Sequence, residues 1–192
     1  MTADQPLHEH LRRHAREKPD APAIVWYGRA ITWRELDGWS DALGAHLQSL
    51  GVQKGEPVAL FMNNCPQYAV AHYAIQKIGA IVCPCGPLNK AHELQYQLDD
   101  LKARTIIAAD NLLPIVQQVR GQTALEHVLA MPESRFAVSE ILDLLAVDAV
   151  RQRFVVLFPD RRNQRAPTLY AATYGGIDIE LSQWLYLPAV RR

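Results

Sequence analysis

Three histidines near the start of the chain have the clearest potential for metal chemistry. They are His8, His10 and His14, and the last two stand four residues apart. On a helix that spacing places two imidazoles on one face, an arrangement that zinc sites use. The sequence offers no third ligand nearby, so we interpret this face as solvated and assign no metal ligand.

Two further histidines are candidates for general-base chemistry. His72 and His92 lie in the middle of the chain. Neither has a nucleophile or an orienting acid that the sequence can place beside it. We therefore predict structural roles for both and assign no catalytic residue.

The three cysteines do not follow a redox or zinc pattern. Cys83 and Cys85 are separated by a single proline, and Cys65 stands apart from them. A CxxC pair needs two intervening residues. We predict reduced thiols with structural roles.

A loop from Gly51 to Gly55 is the one glycine-containing segment that suggests a phosphate site. It lacks the GxGxxG pattern, and it precedes a predicted strand, whereas a phosphate loop follows one. The sequence therefore predicts a turn here, and we assign no cofactor-binding residue.

The charge balance argues against a nucleic-acid partner. Lys plus Arg and Asp plus Glu both number 20, so the chain as a whole has no electrostatic attraction for phosphates. One small basic patch, diluted by interleaved acids, comprises Arg12, Arg13, Arg16 and Lys18. Core packing explains three of the four tryptophans, Trp26, Trp33 and Trp39, better than base stacking does.

Length and hydropathy limit the class of protein further. The 192 residues are enough for one domain or a little more. The amino terminus is polar, without the apolar segment of a signal peptide, and nowhere do roughly 18 apolar residues follow one another. We expect a cytoplasmic protein without a transmembrane segment.

The elements that position these residues can be predicted from periodicity. Leu7, Leu11 and Ala15 form one apolar stripe on a short leading helix that should end before Pro19. A hairpin should follow, with strands 23–27 and 30–32 joined through Gly28 and Arg29. A capping box from Thr32 to Glu35 should then start a long helix that ends at Gly51.

From residue 58 onward, strands and helices should alternate. Predicted strands cover 58–62, 80–83 and 104–108, and a helix covers 66–78. Asn89 and Asp110 are the expected caps of two further helices. Strand starts about 23 residues apart are typical of βαβ units. We predict an α/β fold: a partial Rossmann-like parallel sheet with flanking helices, preceded by the short helix and the hairpin.

Residue usage changes near residue 130. All five Lys lie at or before Lys102 and all seven His at or before His127. We therefore divide the chain into a subdomain, 1–130, and an unassigned tail, 131–192. In the tail, 141–147 could be a helix, 154–158 a strand and 161–167 a polar loop.

Several segments of the first part resemble one family in their order along the chain. They are Thr32–Leu36, Gly51–Ala59, Asn64–Gln67, Lys77–Val82, and Pro87–Leu88 followed by Glu93–Leu98. Over about residues 5–130 the chain resembles the amino-terminal subdomain of the adenylate-forming (AMP-binding) superfamily, and most of all the fatty acyl-CoA synthetases.

The resemblance implies a two-step ligase reaction. A fatty or other carboxylic acid attacks the α-phosphate of ATP to give an acyl-adenylate, and the thiol of coenzyme A then displaces AMP. The family uses a Ser/Thr/Gly-rich loop with a Lys for the phosphates, Mg²⁺ to offset their charge, and a later Lys. The cofactors implied are therefore ATP, Mg²⁺ and coenzyme A for a full-length member.

These 192 residues lack that machinery. No segment fits the phosphate loop, no Lys follows Lys102, and Thr173–Asp178 echoes the family's Tyr-Gly-x-Thr-Glu motif only superficially, at a position far too early. We therefore expect a truncated fragment that is not catalytic alone and needs no cofactor itself. The alternative is a non-catalytic interaction module that pairs with a complete ligase. An exposed sheet edge would favour such pairing, or self-association.

The Arg-rich, Lys-free tail leads to a testable hypothesis about the gene. A change of reading frame in GC-rich DNA would replace family-like sequence by Arg-rich sequence, and a genuine tail evolved for docking is the alternative. Sequencing the DNA across codons 120–140 tests this. A shift by one base should restore family-like sequence, and the hypothesis fails if it does not.

Overall fold

The computed structural model describes residues 5–131, 144–148, 153–159 and 167–173. The helices are α1 (Leu7–Glu17), α2 (Trp33–Ser49), α3 (Pro66–Lys77), α4 (Ala91–Leu101) and α5 (Leu113–Arg120). The first strands are β1 (Pro22–Trp26), β2 (Arg29–Thr32), β3 (Pro57–Phe61), β4 (Ile81–Cys85) and β5 (Thr105–Ala109). The remaining ones are β6 (His127–Met131), β7 (Leu144–Asp148), β8 (Arg153–Pro159) and β9 (Pro167–Thr173).

The main sheet combines a parallel and an antiparallel part. Its strand order is β4-β3-β5-β6-β7-β8-β9, and β1 and β2 form a separate hairpin. The first four strands are parallel, and β7, β8 and β9 continue the sheet antiparallel from β6. The α/β class and the parallel sheet with flanking helices are thus confirmed.

The central strands are buried on both faces. In β3, Val58 and Leu60 pack in one apolar cluster with α1, α2 and α3, whereas Ala59 and Phe61 pack in a second cluster with α4 and α5. All four side chains are inaccessible to solvent. Near-continuous apolar sequence in β3 and β5 is what a parallel sheet covered on both sides requires.

The start of α2 follows the sequence pattern. The Thr32 hydroxyl accepts a hydrogen bond from the Glu35 N–H at 3.2 Å, and the Glu35 carboxylate accepts one from the Thr32 N–H at 2.8 Å. This reciprocal pair is the predicted capping box. At the other end Gly51 has φ +91°, a conformation that a residue with a Cβ adopts at a cost.

The hairpin turn lies one residue earlier than expected. Trp26 pairs with Arg29, so the loop is Tyr27 and Gly28 and not Gly28 and Arg29. Both loop residues have positive φ, 45° and 81°. Such a two-residue turn matches the twist of the strands, which outweighs the strain at Tyr27.

Two predicted helix caps are wrong. The residue before α4 is Lys90, whose N–H donates to the Glu93 carboxylate at 2.7 Å, while the Asn89 side chain donates to Gln97 at 2.8 Å. Asp110 starts a short 3-10 turn that precedes α5, and its carboxylate accepts from the Asn111 N–H. Before α4, the Asn89 side chain is used in a hydrogen bond to Gln97 and does not cap the helix. Before α5, the Asp110 carboxylate is used in a hydrogen bond within the 3-10 turn.

Several strand predictions also need correction. Strands β6 and β9 were not predicted, and residues 144–147, expected in a helix, form β7. The strand expected at 154–158 is confirmed as part of β8. Residues 161–166, expected as a loop, lie outside the described residues, and the boundary at residue 130 stays a prediction. Within the described ranges, no helix has both the length and the apolar content needed to cross a bilayer.

Helices α2 and α3 make a close contact that combines a small residue with a buried charge. A Cβ on Gly44 would lie 3.2 Å from Ile78 Cγ2 and 3.3 Å from the Ala74 carbonyl oxygen. Lys77 Nζ donates to the Asp37 carboxylate at 2.6 Å and to the Asp41 carboxylate at 2.9 Å. The Lys77 side chain is only 2% exposed. The ion pair therefore fixes the rotation of α3 on α2.

Replacing Lys77 by Met should destabilise the protein. The change leaves Asp37 and Asp41 without their cation, and breaking a buried pair costs about 3–5 kcal/mol. Because Asp41 is 54% exposed, we expect the lower end, about 3 kcal/mol, in the free energy of unfolding measured by denaturant titration. Lys90→Met, at an exposed position, is the matched control and should leave it unchanged. Equal values for the two variants would contradict the assignment.

Replacing Gly44 by Ala should also destabilise the protein, although alanine favours helices. The added methyl group meets the backbone carbonyl of Ala74, which cannot move without displacing α3. We expect a net loss of about 1 kcal/mol, since overpacking outweighs the helix propensity gained. Gly121→Ala is the control: nothing lies within 4 Å of its added Cβ, so it should be neutral or stabilising. A stabilising Gly44→Ala would show that the helices are not in close contact.

Candidate functional site

The carboxyl ends of the parallel strands form the most informative edge of the sheet. From β3 the chain passes through α3 to β4 on one side, and from β5 it passes through α5 to β6 on the other. The two helices cover opposite faces of the sheet. In open α/β sheets ligands bind at such a reversal of direction. The crevice between the ends of β3 and β5 is therefore the candidate site.

Polar residues follow both strands at this crevice. Asn63 and Asn64 follow β3 and are exposed, and Asp110 and Asn111 follow β5. Amide and carboxylate groups there can hydrogen-bond a polar ligand. Sequence reasoning did not select these residues as a site. The available signal was a polar doublet directly after each of two apolar strands.

Helix α3 begins at the same edge. Cys65 is its N-cap residue and Pro66 occupies the first turn, where its missing N–H is not needed. No side chain caps this helix start.

The loop after β4 leaves little space for a phosphate. A Cβ on Gly86 would lie 2.9 Å from Asn89 Oδ1, so the Asn89 side chain already fills the space above this glycine. The Asn89 N–H also donates to the Gly86 carbonyl at 2.9 Å.

The glycines with positive φ lie elsewhere. Gly51 and Gly55 precede β3, and Gly79 precedes β4. The Gly55 N–H donates to the Gly79 carbonyl, so these glycines join two turns at the amino ends of the strands. The Gly51–Gly55 segment is the turn that the sequence predicts.

The described residues do not fit the ATP and Mg²⁺ that the family resemblance implies. None of the described loops at the carboxyl edge combines open glycines with a Lys, and the described ranges contain no group of three His, Cys, Asp or Glu suited to a metal. Asp37 and Asp41, a close acidic pair, bind Lys77 instead. We therefore derive no catalytic step through these groups.

The three leading histidines have partners other than a metal. The His10 ring is hydrogen-bonded to Arg13 at 3.1 Å, and His8 lies 3.6 Å from the Glu9 carboxylate. The His14 ring packs on Trp33 with centroids 4.6 Å apart. Burial lowers the pKa of His14, as expected for a ring held against an aromatic surface.

His72 lies between two tyrosines on α3. Its ring stacks on Tyr68 and meets Tyr73 edge-on. Burial lowers the pKa of His72 below its usual value, and its Nδ1 is buried without a hydrogen-bond partner. A neutral imidazole in this setting packs against aromatic rings. His92 is exposed on α4.

Arg12, Arg13 and Lys18 of the small basic patch make local contacts. Arg12 pairs with Glu9 at 3.0 Å, and the Lys18 ammonium lies 5.6 Å from the centre of the Trp33 ring. Among the tryptophans, Trp39 is in the core and only 2% exposed, while Trp26 meets Tyr27 edge-on. These basic and aromatic side chains thus have separate local contacts and do not form one binding surface.

The cysteines are free thiols. Cys83 and Cys85 are buried, and burial raises the pKa of Cys85 to about 11. A thiol with so high a pKa is a poor nucleophile at neutral pH. Thr173 ends β9, and the rest of the 173–178 segment lies outside the described residues.

Comparison with known proteins gives consistent matches. A long-chain-fatty-acid–CoA ligase of Salmonella typhimurium is 39% identical over 126 residues, which cover 65% of this chain and 22% of the ligase. The corresponding ligase of Bacillus subtilis is 36% identical over 111 residues, covering 58% and 20%. The chain thus spans about a fifth of the length of these curated relatives.

Solved structures agree. An anthranilate CoA ligase in complex with anthranoyl-AMP has a TM-score of 0.64 and 30% identity, covering 68% of this chain and 26% of that one. A fatty acyl CoA synthetase of Mycobacterium tuberculosis has the same fold, with a TM-score of 0.61 at 20% identity, covering 86% and 34%.

A family model described as AMP-binding enzyme matches residues 11–166. The match continues beyond residue 130, where the resemblance was expected to end. The sequence resemblance to adenylate-forming enzymes, and to fatty acyl-CoA synthetases among them, is confirmed. The chain belongs to the AMP-binding enzyme family.

Proposed function

We propose that this chain supplies the amino-terminal part of an acyl-CoA ligase, which activates a fatty or other carboxylic acid with ATP and transfers the acyl group to coenzyme A. The observation that carries the proposal is the 36–40% identity to long-chain-fatty-acid–CoA ligases over more than half of the chain. Substrate, ATP, Mg²⁺ and coenzyme A belong to the proposed complete enzyme.

The proposed role of the described residues is that of a scaffold. The two helical layers hold β3 and β5 rigid, and the loops after these strands present Asn63, Asn64, Asp110 and Asn111 at one edge. Ligand-binding groups on rigid elements are positioned more accurately than those on long loops. This edge is where the remaining parts of a ligase would meet the subdomain.

We further propose that the 192 residues by themselves do not catalyse adenylation. No segment of the sequence has the family's phosphate-loop pattern, and no Lys follows Lys102. Without a cation or preorganised N–H groups, the charge that develops on the phosphates is not stabilised. The proposed location is the cytoplasm, which stays a prediction.

An interaction module that pairs with a complete ligase is the second candidate. The observation in its favour is that β7 pairs with β6, so that residues beyond 131 continue the sheet. Mixing the chain with a purified long-chain-fatty-acid–CoA ligase and measuring the mass of the complex tests this candidate. If the mixture contains only species with the separate masses of the chain and of the ligase, this candidate is excluded.

Catalytic competence is tested by pyrophosphate release from ATP with a panel of fatty and aromatic acids. We expect no acid-dependent release above a blank without protein, because the phosphate site is missing. A complete ligase assayed in parallel is the positive control. Acid-dependent release by the chain would overturn the proposal that it does not catalyse.

The scaffold role is tested by a chimera. Residues 7–131 replace the matching segment of a complete long-chain-fatty-acid–CoA ligase, and acid-dependent pyrophosphate release is measured. We expect the chimera to retain activity, because the subdomain presents the same edge. The matched control is the same chimera with Gly44→Val, which should disrupt the α2–α3 contact and abolish pyrophosphate release in the soluble fraction. A folded but inactive chimera would contradict the scaffold role.

A further inference from the structure

Strand β4 forms one of the two edges of the main sheet, and β9 forms the other. Strand β4 pairs with β3 on one side, and no described strand pairs with its other side. The backbone groups along that side are therefore available to another strand. Such an edge is a template for pairing with a second copy of the chain.

The direction of each backbone group in β4 follows from its register with β3. The Ile81 N–H donates to the Glu56 carbonyl at 2.9 Å, so the backbone N–H and C=O of Ile81 point toward β3. Because both the N–H and the C=O of a strand residue point to the same side and successive residues alternate, Cys83 and Cys85 also point toward β3. Val82 and Pro84 therefore face outward.

Pro84 removes one of the two outward donors within this strand. Proline has no N–H, and its ring occupies the position from which the hydrogen would point. An incoming strand could form a hydrogen-bonded pair with Val82 but not with Pro84. Because the Pro84 nitrogen faces away from β3, this costs the sheet no internal hydrogen bond.

The sequence around Pro84 would otherwise favour aggregation. Residues 78–89 contain no charged side chain. Ile81, on the edge strand, is 52% exposed. A short, uncharged, β-prone segment on an open edge is an aggregation hazard, and a proline at a position that makes no hydrogen bond is an effective block.

We propose that Pro84 keeps the β4 edge of this sheet from pairing with the β4 edge of a second copy of the chain. This is an interaction surface blocked at a single residue. The proposal is independent of the ligase function, because it depends only on the register of β4 and on the charge-free segment.

The test is the self-association of Pro84→Val, followed by sedimentation equilibrium over a range of concentrations. Valine restores the outward N–H and suits an edge strand. The wild-type chain should sediment at its monomer mass of 21.6 kDa. The variant should form a dimer whose dissociation constant is at least tenfold lower than that of the wild-type chain. A tenfold change is about 1.4 kcal/mol of added association free energy.

Two more variants make the test specific. Pro84→Ser restores the same N–H with a polar side chain and should also associate more strongly than the wild type. Pro87→Val is the same proline-to-valine change in the loop after β4. This variant should have the same mass in sedimentation equilibrium as the wild type. Far-UV circular dichroism checks that each variant is folded.

Three results would overturn the proposal. The first is an unchanged mass for both Pro84 variants. The second is equal association of Pro87→Val, since the added apolar group and not the edge would then be responsible. The third is unfolding of both Pro84 variants, because a proline that only blocks an edge can be replaced without loss of the fold.

Discussion

The burial of two neighbouring parallel strands on both faces is the constraint from which the rest of the structure follows. The backbone groups of β3 and β5 are satisfied by strands on either side, and their side chains contact helices above and below. Parallel strands cannot be joined by tight turns, so each connection must cross the sheet and carries a helix. Two helical layers are the result.

The helix layer formed by α1, α2 and α3 contains an ion pair whose cation is buried. Lys77 reaches Asp37 and Asp41 from α3 while its own side chain is withdrawn from solvent. An ion pair of this kind does more for specificity of packing than for net stability, because desolvation offsets much of the attraction. Together with Gly44 it selects one close arrangement of α2 and α3.

The distribution of polar and titratable groups over the described residues bears on the proposed scaffold role. Among the described residues, Lys77 is paired with two carboxylates, His72 is stacked on an aromatic ring, and Cys83 and Cys85 are buried thiols. The glycine turns at Gly51–Gly55 and Gly79 lie at the amino ends of strands. The carboxyl edge, by contrast, presents amides and a carboxylate in the position where an α/β sheet binds ligands. The proposed scaffold role rests on this arrangement of the described residues.

Local interactions decided much of the fold, and for that reason the sequence predicted it. The capping box at Thr32 and Glu35, the glycine after α2 and the apolar stripe of α1 involve residues within about a turn of one another. The rhythm of strands predicted the parallel sheet. Where two neighbours compete for one role, as Asn89 and Lys90 do before α4, local patterns did not decide. Strand β6 was missed because periodicity alone does not distinguish so short an apolar run from a segment of buried helix.

The sequence by itself determined the family, the fold class and the order of the first elements. Only the tertiary structure decided the strand order, the crevice between β3 and β5, and the contact between Lys77 and Asp37, which are 40 residues apart. It also decided that Pro84 faces outward, since this depends on the register of β4 with β3. The physical reason is that pairing between distant segments depends on packing of the whole sheet, whereas capping and periodicity depend on neighbouring residues alone.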